Sequence, residues 1–160
     1  MLVVTFTMLG DVVLARGISR YGDAVRDFSP VWEQIREDFH RIEGEQFDTE
    51  GARSGSPWAP LSPTYAAWKQ KHFPGKQVLQ LTGMMWGQFG VGVGMMTTVE
   101  PMKLTMEPSG VPYAGIHQQG SPSTNLPRRR VVDLTEEDKM GWMKMIHNYV
   151  YDKAKEAHLA

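Results

Sequence analysis

The chain has 160 residues, 41% of them hydrophobic and 22% charged, with a formal net charge of -1. That size fits one domain over residues 1–160, burying roughly two-thirds of its surface on folding. The near-neutral balance supplies no basic field for nucleic acid or an anionic membrane. The absence of cysteine excludes a disulfide framework, a thiolate metal site and a cysteine nucleophile.

The run Met1 to Leu9 has no basic flank and no small-residue cleavage site, so it does not read as a signal peptide. It is too short to span a bilayer. Val3, Val4, Thr5 and Phe6 make Leu2 to Thr7 a first strand. Gly10-Asp11 ends it, and Asp11 can cap a helix over Val12 to Val25, weakened at Gly17 and Gly22 by about 1 kcal/mol each. Ser29 as N-cap and Pro30 in the first turn start a firmer helix. Val31, Ile35, Phe39 and Ile42 recur there at helical spacing, with Glu33, Arg36, Glu37 and Arg41 facing away. Glu37 and Arg41 are placed for an i,i+4 pair.

Gly51 to Pro63 is turn-rich, and no acidic residue occurs from Gly51 to Val99 although Arg53, Lys69, Lys71 and Lys76 do. Four cations over so long a stretch make no focused patch. Thr64 to His72 reads as a short helix stopped by Phe73-Pro74-Gly75, and Leu81 to Phe89 as a second helix or turn. Gly90 to Met95 alternates glycine with apolar residues, a strand whose bare face lets another backbone come close. Met95 stands where a dinucleotide fingerprint needs its third glycine. Met102, Leu104 and Met106 alternate with Lys103, Thr105 and Glu107, a half-buried strand. Gly120 to Pro127 is a loop long enough to move or to function. Val131-Val132 reads as a short last strand, and Thr135-Glu-Glu-Asp138 as a capping-box start of a long helix. Its stripe is Met143, Ile146, Val150, Ala154 and Ala157. The sum is an α+β fold: a small antiparallel sheet packed by the Ser29 helix and the long C-terminal helix. The 11 methionines read first as core filler, with a contact face as the sharper alternative.

Little in the chain reads as chemistry. The five histidines, His40, His72, His117, His147 and His158, lack the i,i+4 pairing of a helical zinc site. His117 with Asp133 and Ser121 could be drawn as a hydrolytic triad, but no nucleophile elbow supports it. Glu43 and Glu45 flank Gly44 without a partner motif. No catalytic residue, metal site or cofactor is expected. Arg128-Arg-Arg130 is the densest charge, and three readings stay open: phosphate contacts, carboxylates of a neighbouring subunit, or a solvated loop.

Four pieces in order carry a resemblance: Trp58-Ala-Pro-Leu-Ser62 with Thr64 and Lys69; Leu79, Thr82, Gly83 and Met85; Tyr113-Ala114, Ile116-His117-Gln118 and Gly120; and Pro127 with Arg129. Followed by one long helix, they resemble the virion-morphogenesis and tail-completion family of tailed bacteriophages, over about Phe39 to Lys155. The chain departs from that pattern at Arg130-Val-Val-Asp133, where the family has Pro-Phe-Leu-Gly.

The resemblance implies a non-catalytic structural part: a ring of identical copies, expected to be sixfold, at the head–tail junction of the virion. It would complete the tail and meet a connector or head-completion protein and a tail terminator or tail tube, with DNA in its lumen. Localisation would be the virion, and the host cytoplasm during assembly, without a membrane partner. Interface candidates are Trp58, Pro60, Leu61, Arg128, Arg129 and Arg130, side-chain types favoured at hot spots. Thr82, Gly83, Tyr113, His117, Gln118 and Gly120 are expected as structural anchors, His117 pinning the loop after Gly120. The rival classes are a small hydrolase or nuclease using His117 and a DNA-binding module led by Arg128 to Arg130.

Overall fold

The structure, a computed structural model, describes residues 12–157. The strand expected at Leu2 to Thr7 and the Asp11 cap lie outside the described residues. Helix α1 (Val12–Ala24) is followed by α2 (Ser29–Asp48), α3 (Pro63–His72) and a short α4 (Met84–Trp86), which widens into a π-turn at Gly87–Val91. A hairpin of β1 (Met95–Glu100) and β2 (Lys103–Pro108) comes next, then α5 (Tyr113–Gln119) and the long α6 (Glu136–Glu156). The class is α+β, with a two-stranded antiparallel sheet registered from Met95↔Pro108 to Glu100↔Lys103.

Helix α2 is the spine. Of the predicted stripe Val31, Ile35 and Ile42 are buried and Phe39 is half-buried; Phe47, one turn beyond it, is buried as well. Its start differs: Phe28 holds the N-cap position, and the Ser29 backbone N–H donates to Asp27 Oδ1 at 2.9 Å. A carboxylate accepts that bond more strongly than a serine hydroxyl and suits the positive helix end. Arg41 does not pair with Glu37. It donates to Asp38 at 2.7 Å and Glu45 at 2.6 Å, so one guanidinium bridges carboxylates on either side of it.

The expected glycine strand at Gly90 to Met95 is the end of the π-turn. Gly92 and Gly94 have φ of +86° and +80°, which breaks any extended run before β1. The close backbone approach inferred for these glycines is present. A Cβ on Gly90 would lie 2.9 Å from the Gly44 Cα, so only glycine lets the π-turn seat on α2. Val131-Val132 is not a strand either. Gln118 Nε2 donates to Val132 O at 2.8 Å and its Oε1 accepts from Val132 N at 3.0 Å, replacing the ladder partner a strand would need.

Thr135 and Asp138 close the capping box of α6 from both sides. This helix packs on α2 and α1, while the hairpin lies against α2. Its stripe is less buried than the periodicity predicts: Ala157 is inside, but Met143 is 62% exposed. Hydrogen bonds from Trp142 Nε1 to Asp38 Oδ2 (2.8 Å) and from Tyr149 to Asp27 O (2.7 Å) do much of the anchoring. Methionine as core filler holds for Met85, whereas Met84, Met96, Met102, Met140 and Met143 are all exposed. The main core gathers Phe47, Trp58, Val78, Met85, Phe89, Val111, Ala114 and Val131 at the C-terminal end of α2.

Candidate functional site

Around that core the four motif pieces, far apart in the chain, converge on one pocket of about 610 Å³. Leu61, Ser62, Tyr65 and Lys69 come from the start of α3; Leu79, Leu81, Thr82 and Met85 from the turn before α4; Tyr113 and His117 from α5; Leu126, Pro127 and Arg129 from the loop after it. Each wall has a local cause. Ser62 caps α3, accepting from the Tyr65 N–H, and Pro63 sets its first turn. Gly83, at φ +78°, takes the left-handed conformation that starts α4, and Thr82 Oγ1 accepts from Met84 N. Leu79 is also left-handed, at φ +61°. Its neighbours hold it there: Val78 N–H donates to Glu50 Oε1 at 2.7 Å, and Gln80 Nε2 to Phe47 O at 3.4 Å.

The loop from Gly120 to Pro127, expected as one long enough to move or to function, is closed by its own backbone hydrogen bonds. Ser121 and Leu126 pair through two backbone hydrogen bonds of 2.9 Å, Asn125 takes a left-handed turn, and Gly120 reverses the chain at φ +76°.

The three arginines after it go three ways. Arg128 is exposed, its Nε donating to Gln118 O at 3.1 Å. Arg129 is buried, 4% exposed, and donates from Nε to Ala59 O (2.8 Å) and from Nη2 to Pro60 O (3.0 Å). Its N–H donates to His117 O at 2.8 Å. Arg130 pairs with Asp133 at 3.2 Å, and its carbonyl accepts from Trp58 Nε1 (2.8 Å) and Gln46 Nε2 (3.1 Å).

Two interface candidates therefore lie inside the protomer. Trp58 packs edge-on against Phe47 in the core, and Arg129 straps the Trp58 loop to α5. Pro60 and Arg128 are exposed; Leu61 and Arg130 are half-buried. Of the residues expected as anchors, Gln118 bonds both backbone groups of Val132, Gly83 and Gly120 take positive φ, and Thr82 Oγ1 accepts from Met84 N. Tyr113 and Ile116 are exposed, and Ala114 is the buried contact of α5.

His117 does pin the second loop through its carbonyl. Its Nδ1 is buried without a partner, and neither Ser121 nor Asp133 bonds to it: Ser121 meets Ser123, and Asp133 meets Arg130. Burial, then the nearby Arg129 charge, lowers the imidazole pKa, which keeps the ring neutral at pH 7. Lys69 is 4% exposed and donates from Nζ to Gln77 O. Burial lowers its pKa; Glu50 opposes this, while Arg129 and Lys76 add to it. Among the described residues no carboxylate lines the pocket; Glu50 acts on Lys69 from outside the lining.

A second charged cluster was not legible as a site. Glu43 is 0% exposed on α2, and its carboxyl is pushed up to about 8, chiefly by burial, with Asp133 and Asp138 adding to it against the pull of Arg53. Arg53 bridges Glu45 at 3.3 Å and pairs with Asp138. Burial alone would raise the Asp138 carboxyl; hydrogen bonds from Thr135 and Arg53 outweigh it and hold it below its ordinary value. The available signal was positional: Glu43 falls four residues from both Phe39 and Phe47, on the apolar stripe.

Among the described residues no group of three or more His, Asp or Glu is placed to hold a metal ion, and no helix is long and apolar enough to cross a membrane. The family model for phage virion morphogenesis matches residues 12–151. The chain belongs to the phage virion morphogenesis family. That match runs from the start of α1 into most of α6 and includes every residue lining the pocket. Comparison with curated proteins and with solved structures gave no match. Membership makes this protein a part of bacteriophage virion assembly, associated with the virion.

Proposed function

We propose that this morphogenesis protein is a non-catalytic ring subunit at the tail end or neck, which completes the tail and joins it to the head. The observation that carries this reading is the apolar surface left open on several faces. Tyr65, Trp68 and Phe73 project from α3, Val93, Met96 and Met102 from the hairpin region, and Met140 and Met143 from α6, all more than a third exposed. Exposed apolar surface of this extent marks contact with other proteins. Several such faces fit a subunit covered by copies of itself and by neighbours, namely a connector or head-completion protein on one side and a tail terminator or tail tube on the other. Arg128 is the member of the basic tripeptide that stays exposed for a phosphate in the lumen or a neighbour's carboxylate.

The rival triad of His117, Ser121 and Asp133 is not assembled among the described residues: His117 Nδ1 has no partner, Ser121 meets Ser123, and Asp133 meets Arg130. Deleting the gene tests the reading. Separate full heads and tails in electron micrographs are expected, and normal infectious virions would refute it.

A further inference from the structure

Lys69 and Arg129 are both 4% exposed, and both line the pocket. Among the described residues neither forms an ion pair, and Arg129 Nη1 has no acceptor. A cation taken out of water needs a counter-charge; Glu50 offsets Lys69 in part through space, but Arg129 and Lys76 repel it. The rest of the wall mixes apolar Leu61, Leu79, Leu81, Met85 and Leu126 with Ser62, Tyr65, Thr82, His117 and Asn125, none of them a carboxylate. The pocket therefore fits a projection that carries a carboxylate beside apolar side chains.

The hairpin tip has that chemistry. Val99 and Met102 are 44% and 66% exposed, and Glu100 beside them is exposed and without an ion pair among the described residues. The tip is held firmly by its backbone: Phe28 N–H donates to Pro101 O at 2.8 Å, and Trp32 Nε1 to Glu100 O at 3.1 Å. Those donors lie at the first turn of α2, whereas the pocket wall at Leu79 is tied to Phe47 and Glu50 at its end. The 20 residues of α2 separate the two by about 30 Å. A copy cannot fill its own pocket, but a second copy can.

We propose that the pocket is the socket for the hairpin tip of a second copy, with Val99 and Met102 meeting the apolar part of the wall and the Glu100 carboxylate meeting Arg129 and Lys69. The inference rests on the self-assembly reading above and names its contact. With knob and socket at opposite ends of α2, each copy gives and receives once. That is the heterologous, head-to-tail contact from which rings close.

The chain has no cysteine, so Met102→Cys and Thr82→Cys introduced together place the only thiols at the tip and at the socket rim. A short bismaleimide is expected to give a covalent ladder of copies ending at the ring number, while either single variant stays unlinked. Glu100→Lys with Met102→Asp, both at exposed sites and checked for fold by circular dichroism, is expected to weaken self-association by roughly tenfold or more. Native-size oligomers that neither cross-link nor respond to that double change would overturn this contact and leave self-assembly standing. A chain monomeric both alone and in particles would overturn both. Cross-linking of position 82 to a different virion protein would assign the socket to that protein instead.

Discussion

Two sets of ionisable side chains are balanced in opposite ways. Glu43, Arg53 and Asp138, with the exposed Glu45 beside them, bring both signs together between α2 and α6, and Arg53 makes two ion pairs there. The pocket holds Lys69 and Arg129 with backbone carbonyls as their only partners among the described residues. A carbonyl satisfies a hydrogen-bond donor without cancelling its charge. The first cluster therefore offsets its charges within one protomer, although both Glu43 oxygens and Arg53 Nη1 lack hydrogen-bond partners, while the second has its hydrogen bonds and stays net positive. Offset charge reads as fold stability, and a net positive wall reads as a place for an acidic group to bind.

The difference can be broken at its strongest point first. Arg53→Ala strands the buried Asp138 carboxylate and is expected to lower stability by about 3–5 kcal/mol in urea unfolding. Glu43→Gln should act in the other direction. The folded carboxyl titrates near 8 against an ordinary value of 4.5, so the native state holds a proton that the unfolded chain has released. Glu43 therefore costs nothing below pH 4.5, costs progressively more as pH rises through that window, and costs a constant amount above about 8. Glu43→Gln is expected to raise stability by about 1–3 kcal/mol at pH 8 and to flatten that slope in unfolding measured from pH 4 to 9.

Lys69→Met is the sharper test of the pocket. Loss of the bond to Gln77 O and relief of a buried charge that is offset only in part oppose each other, so isolated-protein stability should stay within about 1 kcal/mol. A loss matching that of Arg53→Ala would show the two clusters to be alike. Arg128→Ala, at an exposed position, should change unfolding by less than about 0.5 kcal/mol.

The sequence yielded what local rules control. The α2 stripe, the short helix from Thr64 to His72 and the Thr135 capping box each rest on residues close in sequence, and each forms, α3 starting one residue earlier at Pro63 with Ser62 as its cap. Long-range partners were out of reach. Three successive arginines look alike in a string, yet Arg129 is buried because the Ala59 and Pro60 carbonyls face it from 70 and 69 residues away. Trp58, read as a presented aromatic, is core because its Nε1 finds Arg130 O. The glycine alternation signalled close approach correctly and strand incorrectly, since left-handed φ at Gly92 and Gly94 is invisible to a period-2 pattern. The motif residues were legible as a set; that they enclose one pocket was not, because no local spacing encodes convergence.

The glutamine that replaces a strand partner at Val132 has a counterpart. Gln88 Oε1 accepts from Ser109 N at 2.9 Å, and its Nε2 donates to Ser109 O. At each place one side-chain amide occupies both backbone groups of a residue in a bend, so neither group is open to pair with another chain. A protein that assembles at high local concentration is exposed to unplanned strand pairing between copies. Closing those two positions from within the chain removes them as templates, which leaves copies to meet through side-chain shape and charge rather than through open backbone.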